Sequence, residues 1–418
     1  MPRIARIIKI GGFDHIKAVV VGGDSPVVIQ TMWKDRLSFS DLDGAVQRID
    51  TLSRMGCGLL RCAVPDIAAA ETLGRLAAMV SMPLAADIHF DYKIALRCLD
   101  FPVAKIRINP GNIGGGEKVR RVLEKAAEKG IPIRIGVNAG SLPADLRDSL
   151  ANSSSRQGRK GAKDEKEEGG EREPQDFLHA SAPLRDNTPE NSIAEALVEA
   201  AERELAIFDE FGFTNVLVSM KASGIADTIR ANRILAERTD VPLHIGVTEA
   251  GPLVAGAARS SAALSILLAE GIGDTVRVSL SDTMENEVIA AREICRAAAD
   301  IARINGMTAD RLHQGGVTVI SCPRCGRHGF DTHGFCERWL DRLYSLERDI
   351  TVAIMGCEVN GPQEARHADL GITGTGDKVL IFRRGEIVRT VGAAEADAAF
   401  QQELALFRRE SGQFAFLG

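Results

Sequence analysis

The 418-residue sequence is poor in aromatic residues, at 5 %, and has no excess of positive charge: 51 lysines and arginines face 57 aspartates and glutamates, for a net charge of −6. A nucleic-acid binder usually presents a basic face and stacking aromatics, so the composition argues against that class. Any anion this chain binds must be met by a local group of cations. Long apolar runs are missing too. No stretch reaches the ~18 uncharged apolar residues of a membrane span, and the opening "MPRIARIIKIGGFDH" holds no apolar run of signal-peptide length. The sequence therefore reads as soluble, cytoplasmic and free of membrane association. Its eight cysteines are too sparse for a disulfide scaffold, and in a reducing compartment clustered thiols more often bind metal. Cys57, Cys62, Cys98 and Cys295 lie in apolar or helical contexts and read as packing residues, and Cys336 in "HGFCERW" as a bystander.

What is present is a regular alternation. Short Val- and Ile-rich runs bounded by turn residues read as strands at 26–31, 58–65, 83–90, 103–110, 131–138, 215–223, 242–251 and 275–281. Amphipathic helical stretches such as 196–212 and 258–273 lie between them, each ending at glycine. A doubly wound open sheet alternates in the same way, but the count of eight and the lack of a glycine-rich loop after the first strand favour a (β/α)8 TIM-type barrel. Residues 152–176 are charged, glycine-bearing and nearly free of large apolar side chains, so 152–190 reads as a disordered surface insertion. After residue 306 the pattern changes: strands at "VTVIS" and "TVAIM", a helix at "CERWLDRLYSLE" and a hairpin at 378–390 make a small α/β unit. The expected division is a barrel over 1–305 and a second domain over 306–418.

In such a barrel the chemistry sits at the carboxyl ends of the strands. Those ends carry Arg61, Asp87 with His89, Arg107 with Asn109, Arg134 with Asn138, Lys221, Glu249, and Arg277 with Ser279. Four arginines and a lysine converge on one mouth. Burying that much positive charge without partners costs several kcal/mol per ion, so an anion should face it. Asp87 and Glu249 can neutralise part; the surplus favours a small ligand with two or more phosphates, which arginine holds bidentately.

The second domain carries "SCPRCGR" (321–327) and "MGCEVNGPQEA" (355–365), with both cysteine motifs at strand ends. Thiols at Cys322, Cys325 and Cys357 suit either structural zinc or an iron-sulfur cluster. For zinc, His328, His333 or His367 could complete the shell; for a cluster, Glu364 could, returned by the turn at Gly361 and Pro362, whereas Glu358 should point away.

The segments "ADIHFDYKIAL", "RINPGNIG", "IPIRIGVNAGSL", "VSMKAS", "GVTEAG", "EGIGDTVRVSL", "SCPRCGR" and "MGCEVNGPQEA", in this order, resemble the 4-hydroxy-3-methylbut-2-enyl diphosphate synthase family of the non-mevalonate isoprenoid pathway. The resemblance implies a barrel joined to a 4Fe-4S domain, with the cluster on Cys322, Cys325, Cys357 and Glu364. It implies reduction of 2-C-methyl-D-erythritol 2,4-cyclodiphosphate to (E)-4-hydroxy-3-methylbut-2-enyl diphosphate, with electrons from a flavodoxin or ferredoxin. It also implies a homodimer in which the cluster domain of one subunit caps the barrel of the other. On this reading Arg61, Asp87, Arg107, Arg134, Asn138, Lys221, Arg277 and Ser279 meet the substrate, Glu249 is the expected proton donor with His89 second, and Glu364 gives way to substrate. Two stretches depart from the family pattern. "QTMWKD" (30–35) stands where the family reads Gln-Ser-Met-Thr-Asn, and Glu358 and Gln363 stand where small or apolar residues are usual. Two other readings compete: a phosphate-binding barrel with a zinc-stapled accessory domain, and a pterin-binding barrel of the dihydropteroate synthase kind.

Overall fold

A computed structural model describes residues 3–37, 39–114, 116–151, 192–312, 315–323, 325–375 and 377–413; the charged segment 152–190 lies outside them. The chain divides into two compact units, Met1–His313 and Gln314–Gly418.

The first unit begins with an antiparallel hairpin, β1 (Ile8–Ile10) and β2 (Val19–Val21). Eight parallel strands follow: β3 (Val28–Met32), β4 (Leu59–Ala63), β5 (Leu84–Asp87), β6 (Lys105–Ile108), β7 (Ile133–Asn138), β8 (Val216–Lys221), β9 (His244–Ile245) and β10 (Thr275–Val276). They match the eight runs read from the sequence. Neighbours pair in order from β3 to β8, β10 joins β3 to β9, and a bridge between Val218 and Leu243 returns from β9 to β8, so the sheet closes into a nearly complete barrel. Strands β5, β6 and β8 are buried at every position, as expected where a parallel sheet is covered on both faces.

The helices include α1 (Leu42–Arg54), α2 (Ile67–Met79), α3 (Tyr92–Cys98), α4 (Pro110–Ile113), α5 (Gly116–Lys129), α6 (Ile193–Glu210), α7 (Ile225–Arg238), α8 (Leu253–Ala269) and α9 (Met284–Ile304). Polar residues start several of them. Asp41, Asp66, Asp91 and Thr283 accept from first-turn amides, and Ser192 with Glu195 forms a reciprocal capping box; such caps contribute about 1 kcal/mol each.

The hairpin was not legible in the sequence, because two three-residue strands give no periodicity to count. Its role is clear from its packing. Ile8, Ile10, Ile16 and Val21 cover Leu59, Ala85, Ala104 and Leu217 at the amino ends of the barrel strands, sealing the end opposite the mouth. Gly22, at φ +90°, has no room for a side chain: a Cβ there would stand 2.0 Å from the Arg6 carbonyl.

In the second unit β11 (Val317–Ser321), β12 (Ile350–Ile354) and β13 (Leu370–Thr375) run parallel, and β14 (Lys378–Arg383) and β15 (Glu386–Gly392) complete an antiparallel edge. Helices α10 (Thr332–Tyr344) and α11 (Ala396–Gln413) supply Phe335, Trp339, Phe400 and Leu404 to a core with Val352, Ile354, Ile372 and Ile381. Phe335 stacks on Trp339 with ring centroids 5.5 Å apart, and Phe400 meets Trp339 edge-on at 4.9 Å. Strand β13 escaped the sequence reading because "LGITGT" looks like a loop. Gly371 is required there by its cross-strand partner, since a Cβ would lie 2.1 Å from the ring of Phe382.

Helix α6 holds one misplaced charge. Glu204 accepts from Gly111 N at 3.3 Å through one carboxyl oxygen, while the other is buried without a partner among the described residues. Burial pushes its carboxyl up to about 7, outweighing the bond from Gly111. A raised carboxyl pKa favours the folded state while the group is protonated, and that advantage is lost as pH rises from about 4.5 through 7. Glu204→Gln should therefore melt higher than the parent at pH 8, by roughly 2 °C, with the gap closing toward pH 4.5 in thermal scans. An equal gap at both pH values would count against this account.

Candidate functional site at the barrel mouth and cysteine loops

Six cations share the barrel interior with two carboxylates. Arg61, Lys105, Arg107, Arg134, Lys221 and Arg277 face Asp87 and Glu287. Strand alternation places them: Lys105 and Arg107 are two apart on β6, and Arg107 and Arg134 are register partners on adjoining strands. Two glycines make the space. A Cβ at Gly136 would lie 2.3 Å from Arg107 Nε, and one at Gly246 would lie 2.6 Å from Lys221 Nζ.

Asp87 is the counter-charge on one side, 3.2 Å from Arg107 and 3.4 Å from Arg61, with His89 at 3.6 Å. Burial pushes its carboxyl up, but the hydrogen bond with His89 and the charges of Arg61, Arg107 and Arg134 prevail and hold it far below the usual carboxylate range. Glu287, from the first turn of α9, accepts from Thr31 Oγ1 and Lys34 Nζ at 2.6 Å and from Leu280 N at 3.0 Å, with Arg277 at 3.3 Å.

Two carboxylates do not balance six cations. Burial first, then mutual repulsion, holds Lys105, Lys221 and Arg134 well below their ordinary values, and Arg61 is drawn down to about 10. Arg134 is the extreme case. It is 1 % exposed, and its Nε and Nη1 have no hydrogen-bond partner among the described residues. An unpartnered buried guanidinium is costly, and a polyanion is the ligand that relieves it.

The structure thus gathers Arg61, Asp87, His89, Arg107, Arg134, Lys221 and Arg277. Asn138 ends β7 beside Lys221, its register partner. No hydrogen bond or ion pair links Glu249 or Ser279 to this group among the described residues. Glu249 is exposed in the turn after β9 with its backbone at φ +52°, a conformation that non-glycine residues seldom adopt. Lys105, Gln30, His244 and Glu287 were missed. Lys105 Nζ donates to Gln30 Oε1 at 3.0 Å, and the neutral His244 sits 3.1 Å from Lys221 Nζ and 2.7 Å from Thr275 Oγ1. Burial and the surrounding cations keep that imidazole uncharged.

In the second unit the register Ser321–Ile354 sets two loops side by side. Cys322 follows β11 and donates its N–H to Ile354 O, Cys357 lies in the loop after β12, and Gly329 N bonds Gly356 O at 2.7 Å across the loops. Cys357 is buried, Cys322 half-buried and Cys325 exposed, and none of the three is in a disulfide. Glu364 is exposed at the end of a wide helical turn, Val359–Glu364, that contains Pro362. Glu358 points away, accepting from Thr375 Oγ1 at 2.6 Å. His333 Nε2 lies 3.4 Å from Glu337 on α10, and His328 Nδ1 lies 2.7 Å from the Cys325 carbonyl. Among the described residues no three His, Cys, Asp or Glu side chains are drawn together as a closed ion site. The donor set is nonetheless sulfur-rich, which is the chemistry of a thiolate-held metal group. The barrel cysteines differ. Burial pushes Cys57 up to about 11 and Cys62, Cys98 and Cys295 up to about 12, as for inert packing residues.

A family model described as the GcpE TIM-barrel domain matches residues 14–292, and one described as the GcpE protein C-terminal domain matches residues 318–406. The chain belongs to the GcpE family. Relatives named 4-hydroxy-3-methylbut-2-en-1-yl diphosphate synthase (flavodoxin) include those of Treponema pallidum, 48 % identical over 96 % of this chain and 91 % of the relative, and Treponema denticola, 46 % identical over 96 % and 98 %. That of Geobacter sulfurreducens is 41 % identical over 91 % of this chain and 93 % of the relative. The family match makes this chain an oxidoreductase of isoprenoid-precursor biosynthesis and removes the readings of it as a pterin-binding barrel or as a barrel used only for binding or assembly. No helix among the described residues is long and apolar enough to cross a membrane.

The space at Gly136 gives a direct check on the cationic mouth. Gly136→Ala would displace the Arg107 guanidinium rather than backbone. Pyrophosphate affinity, measured by calorimetry, should fall by roughly tenfold or more, with circular dichroism unchanged; parent-like affinity would remove Arg107 from the anion site.

Proposed function

We propose that the barrel mouth binds 2-C-methyl-D-erythritol 2,4-cyclodiphosphate and that the cysteine loops hold a 4Fe-4S cluster, for reductive ring opening and dehydration to (E)-4-hydroxy-3-methylbut-2-enyl diphosphate. On this reading 1–305 is the substrate barrel and 306–418 the cluster domain. The observation that carries the substrate site is Arg134, buried with two guanidinium nitrogens unpartnered among the described residues and set among cations that outnumber their carboxylates. Arg61, Arg107, Arg134 and Lys221 hold the diphosphate, Arg277 adds charge, and Asn138 and Ser279 donate hydrogen bonds. As the ring opens and the bridging oxygen becomes a free diphosphate oxygen, this pre-set positive field stabilises the charge that develops. Asp87 keeps Arg61 and Arg107 aimed inward at 3.4 and 3.2 Å.

Loss of water needs an acid near the departing hydroxyl. Glu249 is assigned that role on its place at a strand end and its strained backbone, with His89, held by Asp87, as second donor. Cys322, Cys325 and Cys357 hold the cluster with Glu364 as fourth ligand. Bound there, the cluster supplies single electrons and a Lewis-acidic iron. Exposure of Glu364 at the end of its turn suits a ligand that must move aside, while Thr375 keeps Glu358 from competing. The relatives' name supports flavodoxin as electron donor, with ferredoxin as the alternative. A homodimer in which the cluster domain of one subunit serves the barrel of the other, and a cytoplasmic location, belong to the same proposal.

Protein purified without oxygen should be brown, with about four irons per chain; a colourless protein holding one zinc would refute the assignment. Glu364→Ala should lower turnover by roughly a hundredfold or more while melting within a few degrees of the parent. Retained turnover would show that Glu364 is not the functional ligand.

A further inference from the structure

The stretch "QTMWKD" runs from the end of the first barrel strand into the loop after it, and there Lys34 ends in a dense ionic knot. Its Nζ lies 2.6 Å from Glu287 Oε1 and 2.7 Å from the Leu280 carbonyl. Glu287 Oε1 also accepts from Leu280 N at 3.0 Å, and Oε2 accepts from Thr31 Oγ1 at 2.6 Å. Arg277 reaches the same carboxylate only at 3.3 and 3.4 Å.

The order of these distances matters. A carboxylate offers about four acceptor positions, and three short donors take the best of them. A guanidinium facing an unshared carboxylate closes to a bidentate pair at about 2.7–2.9 Å; here Arg277 is kept to longer contacts. Lys34 also clasps both backbone groups of Leu280, directly through the carbonyl and through Glu287 at the N–H. The loop that follows β10 and carries Arg277 and Ser279 is thereby tied to the loop after β3. An arriving phosphate has only the weak contacts of Arg277 to displace.

We propose that Lys34 is a positioning residue for Arg277: by occupying Glu287 with its ammonium, it keeps the Arg277 guanidinium available to the anionic substrate. This rests on the reading of the barrel mouth as a diphosphate site. The test is a double-mutant cycle in the full-length chain, using Lys34→Met, Arg277→Met and the double variant, with Lys34→Arg as conservative rescue. Calorimetry gives the Kd of inorganic pyrophosphate, and steady-state assays of the reconstituted enzyme give KM and kcat for the cyclic diphosphate. Lys34→Met should raise Kd and KM about tenfold with kcat within about twofold, and the double variant should bind no more weakly than Arg277→Met alone. Lys34→Arg should stay within about threefold of the parent. Losses that multiply in the double variant would mean that Lys34 meets the ligand itself, and the proposal would fall; parent-like affinity of Lys34→Met would sink it too. Parent-like affinity of Arg277→Met would also overturn the proposal, whereas failure of the parent chain and of Arg277→Met alike to bind pyrophosphate would mean that the diphosphate-site reading itself fails, an outcome distinct from any result for Lys34.

Discussion

Positive charge that the protein itself does not neutralise is the constraint around which the barrel is organised. Asp87 restrains Arg61 and Arg107, Glu287 restrains Arg277 together with Lys34 from the loop after β3, and Gln30 and His244 give Lys105 and Lys221 neutral acceptors instead of counter-ions. Neutral acceptors fix where an ammonium sits without cancelling its field. The uncancelled field is then available to a ligand, and holding it costs folding energy in the free protein. The closed sheet and the hairpin that seals its far end sharpen that cost and the field with it, because packed side chains stand where water would otherwise relax the charges.

How much of this was legible follows from where a residue stands. Arg61, Arg107 and Arg134 interrupt runs of Val, Ile and Leu, and a charge in a run buried on both faces stands out without any structure. Lys105 and His244 are equally buried but begin their strands, where a charge reads as a boundary residue. Glu287 is hidden for another reason: an acid in the first turn of a helix has an ordinary explanation in the helix dipole, so nothing in the sequence says that it turns inward. The three-residue strands of the hairpin and the glycine-bearing β13 fail for lack of period, not for lack of packing.

The cysteine loops divide differently. Spacing put Cys322 and Cys325 after one strand and Cys357 after the next, and parallel pairing of β11 with β12 makes those loops neighbours. Which glutamate faces the thiols is a matter of side-chain direction, which spacing carries only weakly. Thr375 decides it for Glu358. That threonine lies at the end of β13, the strand the sequence did not reveal, so the partner that turns Glu358 away could not have been named beforehand.

The same logic separates the two families of cysteine in the chain. A thiol becomes a useful ligand as thiolate, and burial in apolar surroundings works against that form. The four barrel cysteines are enclosed and driven toward the neutral thiol, which keeps four reactive groups silent. Cys62 shows how local the effect is. It follows Arg61 directly, yet strand alternation turns its side chain to the opposite face, where desolvation outweighs the neighbouring charge. In one barrel, two adjacent residues are sorted by a period of two into a cation beside Asp87 and a packing thiol.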